Sequence, residues 1–260
     1  MNIARKIAKE STITFSGLVY GNINRYLYAA LLARWVGAEF LGIYSLANSI
    51  MLISEVLGKM GLETGIMRFV SRLDLEKDSQ KIQKLIASAL KMTAIFSLVI
   101  MSVLIIASGF IATKILNQTS LLTSVLIVFA IAIPFNSLTL VSAFATQGFK
   151  RLKYKTMVTQ FLNPTILLSV MVICFWFFSI ESAIMLPMLI TGVIGFLVMI
   201  IVLKKVSGVT NDQMLKTKFD IKLLKFSFPL MFVTILQTFM HWMDILMLGY
   251  FTDAVTVGLY

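Results

Sequence analysis

Seven apolar stretches, each about as long as a bilayer is thick, leave this 260-residue chain little length for anything else. They run over about Thr12–Arg34, Phe40–Arg68, Ile86–Ile111, Leu121–Thr146, Met157–Ile180, Ala183–Leu203 and Phe226–Phe251. About 20 apolar residues cross the hydrocarbon core as a helix, because only an internally hydrogen-bonded backbone is stable there. The chain is 58% hydrophobic with a mean hydropathy of +0.91, against about 45–50% apolar in an ordinary soluble domain. The predicted class is an all-α integral membrane protein.

The net charge of +11 is not that of a nucleic-acid-binding domain, because the cations sit in short loops between spans. Arg5, Lys6 and Lys9 precede the first span, and Arg72, Lys77, Lys81 and Lys84 follow the second. Lys150, Arg151, Lys153 and Lys155 follow the fourth. Lys204, Lys205, Lys216, Lys218, Lys222 and Lys225 follow the sixth. The alternate loops hold only Arg34 and Lys114, so the positive-inside rule places the amino terminus in the cytoplasm and the protein, multi-pass, in the cytoplasmic membrane. Cys174 is the single cysteine and His241 the single histidine, which leaves no disulfide or thiolate metal set. No metal and no cofactor are expected. The first apolar stretch is too long, and carries Arg25, for a cleavable signal peptide.

Charge inside a span is costly, about 2.5–3.5 kcal/mol at the bilayer centre, and therefore informative. The second stretch carries Glu55, Lys59 and Glu63 one helical turn apart, with Asn48 a heptad before Glu55. On one continuous helix they form a polar stripe beside Gly58, Gly61 and Gly65, of which Gly61 and Gly65 suit close helix packing. The stripe is either a wet, solute-facing surface or a self-neutralised ladder buried between helices. Arg25 lies at a similar depth on the preceding span, and a structural ion pair with Glu55 is the alternative to a ligand role.

Pro134, Pro164, Pro187 and Pro229 all fall in or at the start of spans, where they produce bends or hinges. Thr139, Ser142 and Thr146 share one helical face on the fourth span, and Thr156, Gln160 and Asn163 share one on the fifth. Such groups more often make interhelical hydrogen bonds than solute contacts.

The chain also repeats. Lys6–Tyr44 aligns without gaps on Lys222–Tyr260, with identities at Lys6/Lys222, Lys9/Lys225, Ser11/Ser227, Leu32/Leu248, Ala38/Ala254, Gly42/Gly258 and Tyr44/Tyr260. The stripe Leu18, Gly21, Asn22, Arg25 and Tyr28 corresponds to Thr234, Gln237, Thr238, His241 and Asp244. A unit of six spans repeats in the same direction, as in transporters whose halves are related by an axis along the membrane normal. The expected organisation is a six-helix transmembrane lobe over 1–205, a cytoplasmic linker over 206–225, and the first helix of an incomplete second lobe over 226–260. On this expectation the chain is the amino-terminal part of a two-lobe protein.

Four stretches resemble one family. They are FSGLVYGNINRYLYAALLARWVGAEFLGIYSLA, KMGLETGIMRFVSRL, ATQGFKRLKYKTM and LLKFSFPLMFVTILQTFMHWMDILMLGYF. In order and spacing the chain is similar to the polysaccharide exporters, or O-antigen-type flippases, of the multidrug/oligosaccharidyl-lipid/polysaccharide superfamily. The resemblance implies two six-helix lobes around a cavity that opens alternately to each side. It implies a substrate of isoprenoid pyrophosphate-linked oligosaccharide. Arg25 matches, by position on the first helix, the cavity arginines that receive pyrophosphate in related flippases.

Under that resemblance Arg25, Lys59 and His241 draw the anionic head group, while Asn22, Gln237 and Thr238 bond sugar hydroxyls. Arginine suits pyrophosphate because its planar fork donates two parallel hydrogen bonds. Glu55, Glu63 and Asp244 are the candidate carboxylates for proton or sodium coupling. Expected partners are the lipid-linked glycan, membrane lipid, and a glycan polymerase and glycosyltransferases. The alternatives are a cation-coupled multidrug exporter of the same superfamily and a non-transporting scaffold. An enzyme is disfavoured, for there is no H-E-x-x-H, no paired Asp-x-Asp and no long soluble loop.

Overall fold

Met60 and Gly61 both take left-handed backbone conformations, with φ of 51° and 70°, and they cut the second hydrophobic stretch in two. In the computed structural model, which describes residues 3–74, 77–210, 213 and 217–260, α2 is Ala38–Lys59 and α3 is Leu62–Arg72. The expected single helix over Phe40–Arg68 is therefore corrected. Glycine takes the left-handed conformation at no steric cost. Gly61 is needed for a second reason, since a Cβ there would run into the backbone of Ser227 and Met231.

The remaining elements are α1 (Ile3–Val36), α4 (Ser79–Phe110) with a π-helical turn at Ile111–Ile115, α5 (Ser120–Gly148) and α6 (Leu152–Thr156). A π-helical stretch, Met157–Leu162, joins α6 to α7 (Asn163–Phe177); α8 (Ile180–Ser207), α9 (Ile221–Phe251) and α10 (Ala254–Leu259) follow. Lys216 lies outside the described residues.

Among the described residues, six helical segments are long and apolar enough to cross a membrane: Ala38–Lys59, Ser79–Ile115, Ser120–Gly148, Leu152–Phe177, Ile180–Ser207 and Ile221–Phe251. The chain is a multi-pass membrane protein. The expected seventh, the first stretch, is the exception. At 34 residues α1 is long enough, but Asn22, Asn24 and Arg25 dilute its apolar run.

Helix α5 is the hub, packed by α2, α3, α4 and α8, with Phe129, Ala132 and Ile133 fully buried. Thr139, Ser142 and Thr146 are buried on it too, as packing groups. Helix α1 lies parallel to α6–α7, since Gly17 meets Thr156, Gly21 meets Gln160 and Trp35 stacks on Phe175 at 4.8 Å. Helix α9 runs antiparallel to α2–α3, with Gly249 against Leu46 and both Gly61 and Gly65 against Ser227. These are the directions that alternating spans require.

Helix α10 crosses the start of α2 through backbone contact. Gly42 faces the carbonyl of Ala254, and Gly258 faces the carbonyl of Ala38. A Cβ at either glycine would overlap backbone. Gly42→Ala and Gly258→Ala are each expected to cost about 1–3 kcal/mol, the usual range for overpacking. Both break the same crossing, so the double variant should lose less than the sum. Unfolding midpoints of the purified variants measure this, and full additivity would sink it.

Candidate functional site

Proline 164 shapes the site from four residues away. A proline in a helix removes the hydrogen bond to the carbonyl of residue i−4 and crowds that carbonyl, here the one on Gln160. The chain around Gln160 is the π-helical stretch, a distortion often found at functional sites. Gly21, with no side chain, lets α1 settle against the Gln160 carbonyl and side chain.

The result is a polar cluster around Arg25. Its Nη1 donates to Asn22 Oδ1 at 3.0 Å and its Nη2 to Gln160 Oε1 at 3.1 Å. Nearby, the hydroxyls of Tyr20 and Thr165 bond at 2.9 Å, and Tyr20 stacks on Phe161 at 5.1 Å. Tyr28 and Tyr44 close the other flank, with ring centroids 5.2 Å apart. Arg25 and Asn22 are themselves exposed. Among the described residues no carboxylate pairs with Arg25, so only neutral amides hold its charge.

Glu55 is engaged elsewhere. Lys59 Nζ donates to Glu55 Oε1 at 3.0 Å and lies 3.9 Å from Glu63 Oε1, and all three residues are buried. The ladder spans the α2–α3 break. Lys59 ends α2 and Glu63 opens α3, each at the helix end whose dipole favours its charge. The structure thus places Lys59, Glu55 and Glu63 together and away from solvent, and it forms no Arg25–Glu55 pair.

On α9, Gln237, His241 and Asp244 are exposed and Thr238 is half-buried. Thr238 donates back to the Thr234 carbonyl at 2.9 Å, Asp244 accepts from Tyr260 at 3.0 Å, and His241 packs edge-on against Trp242. Helices α1 and α9 both pack on α2, yet no hydrogen bond or ion pair joins their polar stripes among the described residues.

Gln160 makes an interhelical hydrogen bond, as expected of the polar groups on this span, and its partner is Arg25. The expected common face of Thr156, Gln160 and Asn163 does not form. Thr156 and Gln160 meet α1, whereas the π-helical stretch turns Asn163 onto Gly195 of α8. The readable signal was its place four residues before Pro164. No group of three or more His, Cys, Asp or Glu able to hold a metal is present among the described residues.

No curated protein and no solved structure matches the chain. A family profile described as "Polysaccharide biosynthesis protein" matches residues 7–260, nearly the whole length. This family is one of membrane transporters rather than of enzymes. With its helical, membrane-spanning architecture and end-to-end match, the chain belongs to the polysaccharide biosynthesis protein family, the polysaccharide-exporter group of flippases.

Proposed function

We propose that the protein is a secondary-transporter-type flippase that moves isoprenoid pyrophosphate-linked oligosaccharide across the cytoplasmic membrane by alternating access. One observation carries the reading: Arg25, on a helix packed against the spanning segment Leu152–Phe177, has among the described residues only the neutral amides of Asn22 and Gln160 as hydrogen-bond partners. An uncompensated charge at that depth is costly, and a bound diphosphate supplies the missing anion. Part of the guanidinium fork remains free for it. Asn22 then bonds sugar hydroxyls beside it, and Gln237, Thr238 and His241 provide the corresponding surface on α9. Lys59 serves the α2–α3 ladder in this reading, and Glu55, Glu63 and Asp244 remain the coupling candidates for protons or sodium.

Two lobes related by an axis along the membrane normal fit the reciprocal crossing at α2 and α10. In a two-fold arrangement, residue i meets j′ where j meets i′, and Ala38/Gly42 and Ala254/Gly258 are equivalent positions of the repeat. We assign 1–205 to the first lobe, 206–225 to the linker and 226–260 to the start of the second.

Reconstituted in liposomes with a fluorescent isoprenoid diphosphate oligosaccharide, the protein carrying both lobes is expected to move it across; its Arg25→Ala variant and residues 1–260 alone, which lack most of the facing lobe, are not. Drug extrusion without glycan movement would instead identify a multidrug exporter. For orientation, single cysteines replace Ser79 and Thr119 in a Cys174→Ala background. Thr119 is preferred to Gln118, whose amide bonds Thr252 and Ala254. An impermeant maleimide applied to intact cells is expected to label position 119 and spare position 79. The reverse pattern overturns the cytoplasmic amino terminus.

A further inference from the structure

A strongly cationic concavity is built from other elements than the Arg25 cluster. A cavity of about 1060 Å³ lies between the end of α3, the start of α4, the linker and the start of α9. Arg72, Lys81, Lys84, Lys218 and Lys222 line it, with Asp220 as the one carboxylate of its lining among the described residues. That carboxylate is committed, because Asp220 Oδ1 caps α9 by accepting from the Leu223 N–H at 3.0 Å. Lys81 is paired with Asp78 at 2.9 Å. Arg72, Lys84, Lys218 and Lys222 take part in no ion pair among the described residues.

The cleft is held in shape by specific bonds. The Asp220 N–H donates to Ser88 Oγ at 2.7 Å, and Lys91 Nζ donates to the Thr217 carbonyl at 3.3 Å. Lys91 also sits over the Phe219 ring, and Phe69 packs edge-on against Phe226. Linker, α4 and α9 are therefore strapped together around the space. Phe69, Leu85 and Phe219 give it apolar walls, beside the polar Ser88, Gln213 and Thr217. Ser79 and Ile221 each begin a segment able to cross the membrane, which sets the cleft at the level where spans meet head groups.

Unpaired cations beside apolar walls at that level match an anionic amphiphile. A soluble anion would leave the apolar walls uncovered, and a neutral lipid would leave the cations unmet. We propose that this cleft binds the phosphate-bearing head group of a membrane lipid, with the cations on the phosphate and Phe69, Leu85 and Phe219 along its chains. Arg72 can grip a phosphate with two parallel hydrogen bonds, and the lysines act as point charges. Basic clusters beside membrane spans recognise anionic lipids in this way. The inference holds whatever the protein transports, so its test has no transport readout.

The purified chain in neutral detergent is titrated with short-chain phosphatidic acid, with phosphatidylcholine of the same chains, and with inorganic pyrophosphate, following the unfolding midpoint. Phosphatidic acid is expected to raise the midpoint saturably, and the other two are not. Arg72→Gln/Lys84→Gln/Lys222→Gln should weaken the apparent affinity by about tenfold or more, and Lys114→Gln in the π-helical turn at the far end of α4 should leave it unchanged. If the triple variant is already destabilised without lipid, Lys84→Gln alone is compared and should still weaken affinity several-fold. Equal stabilisation by phosphatidylcholine, equal stabilisation by pyrophosphate, or unweakened affinity in these variants overturns the proposal.

Discussion

Lys59→Met is expected to destabilise the protein by about 3–5 kcal/mol, the usual cost of removing one member of a buried ion pair. The ammonium is 3.0 Å from Glu55 and 3.9 Å from Glu63, and the three side chains are 9%, 4% and 7% exposed. Methionine fills the volume but leaves two carboxylates without a counter-charge. Glu63 has no slack, for its Oε2 is already buried without a hydrogen-bond partner among the described residues. The loss should appear as a lower unfolding midpoint and lower membrane abundance. Lys59→Met/Glu55→Gln/Glu63→Gln should recover most of it, because a buried ion pair replaced as a whole is often neutral. If Lys59→Met alone is as stable as the parent, the ladder is not structural and Lys59 is available for a solute.

The helices themselves were legible, since a run of apolar residues of bilayer length is a property of sequence alone. What the run could not show was where the backbone turns. Gly58, Gly61 and Gly65 read as packing residues on one face, and Gly61 and Gly65 do pack on α9. Gly61 is also part of a break, which depends on Ser227 and Met231 lying against it from a distant part of the chain. Likewise Arg25 and Glu55 could be matched in depth by counting residues. Their directions around the helix axes could not, because those are set by packing against α6–α7 for one and by Lys59 for the other. The π-helical stretch defeats a 3.6-residue period for the same reason, and it moves Asn163 off the face of Gln160. The basic cleft was visible only as basic loops; three separate stretches must come together before it has an inside.

Arg25→Lys is expected to cut glycan transport by more than about tenfold while membrane abundance stays near normal. Lysine keeps the charge, and the helix tolerates either side chain, so a purely structural cation survives the change. A ligand for pyrophosphate does not. In this site Nη1 is tied to Asn22 and Nη2 to Gln160, which fixes the plane of the fork and aims its remaining donors. A single ammonium cannot bond both amides and still present two parallel donors to an anion. Gln160→Glu sharpens the test. It gives Arg25 an internal counter-ion, so the protein should be at least as stable yet transport as poorly as Arg25→Ala. Reversing the charges, Arg25→Glu with Glu55→Arg, is expected to restore neither abundance nor transport, because Glu55 already serves Lys59 one turn away. Recovery of both in the swap would show that the two residues are structural partners after all. Transport unaffected by Gln160→Glu would remove the neutral amides, and with them the open charge on Arg25, as the reason this helix can receive a diphosphate.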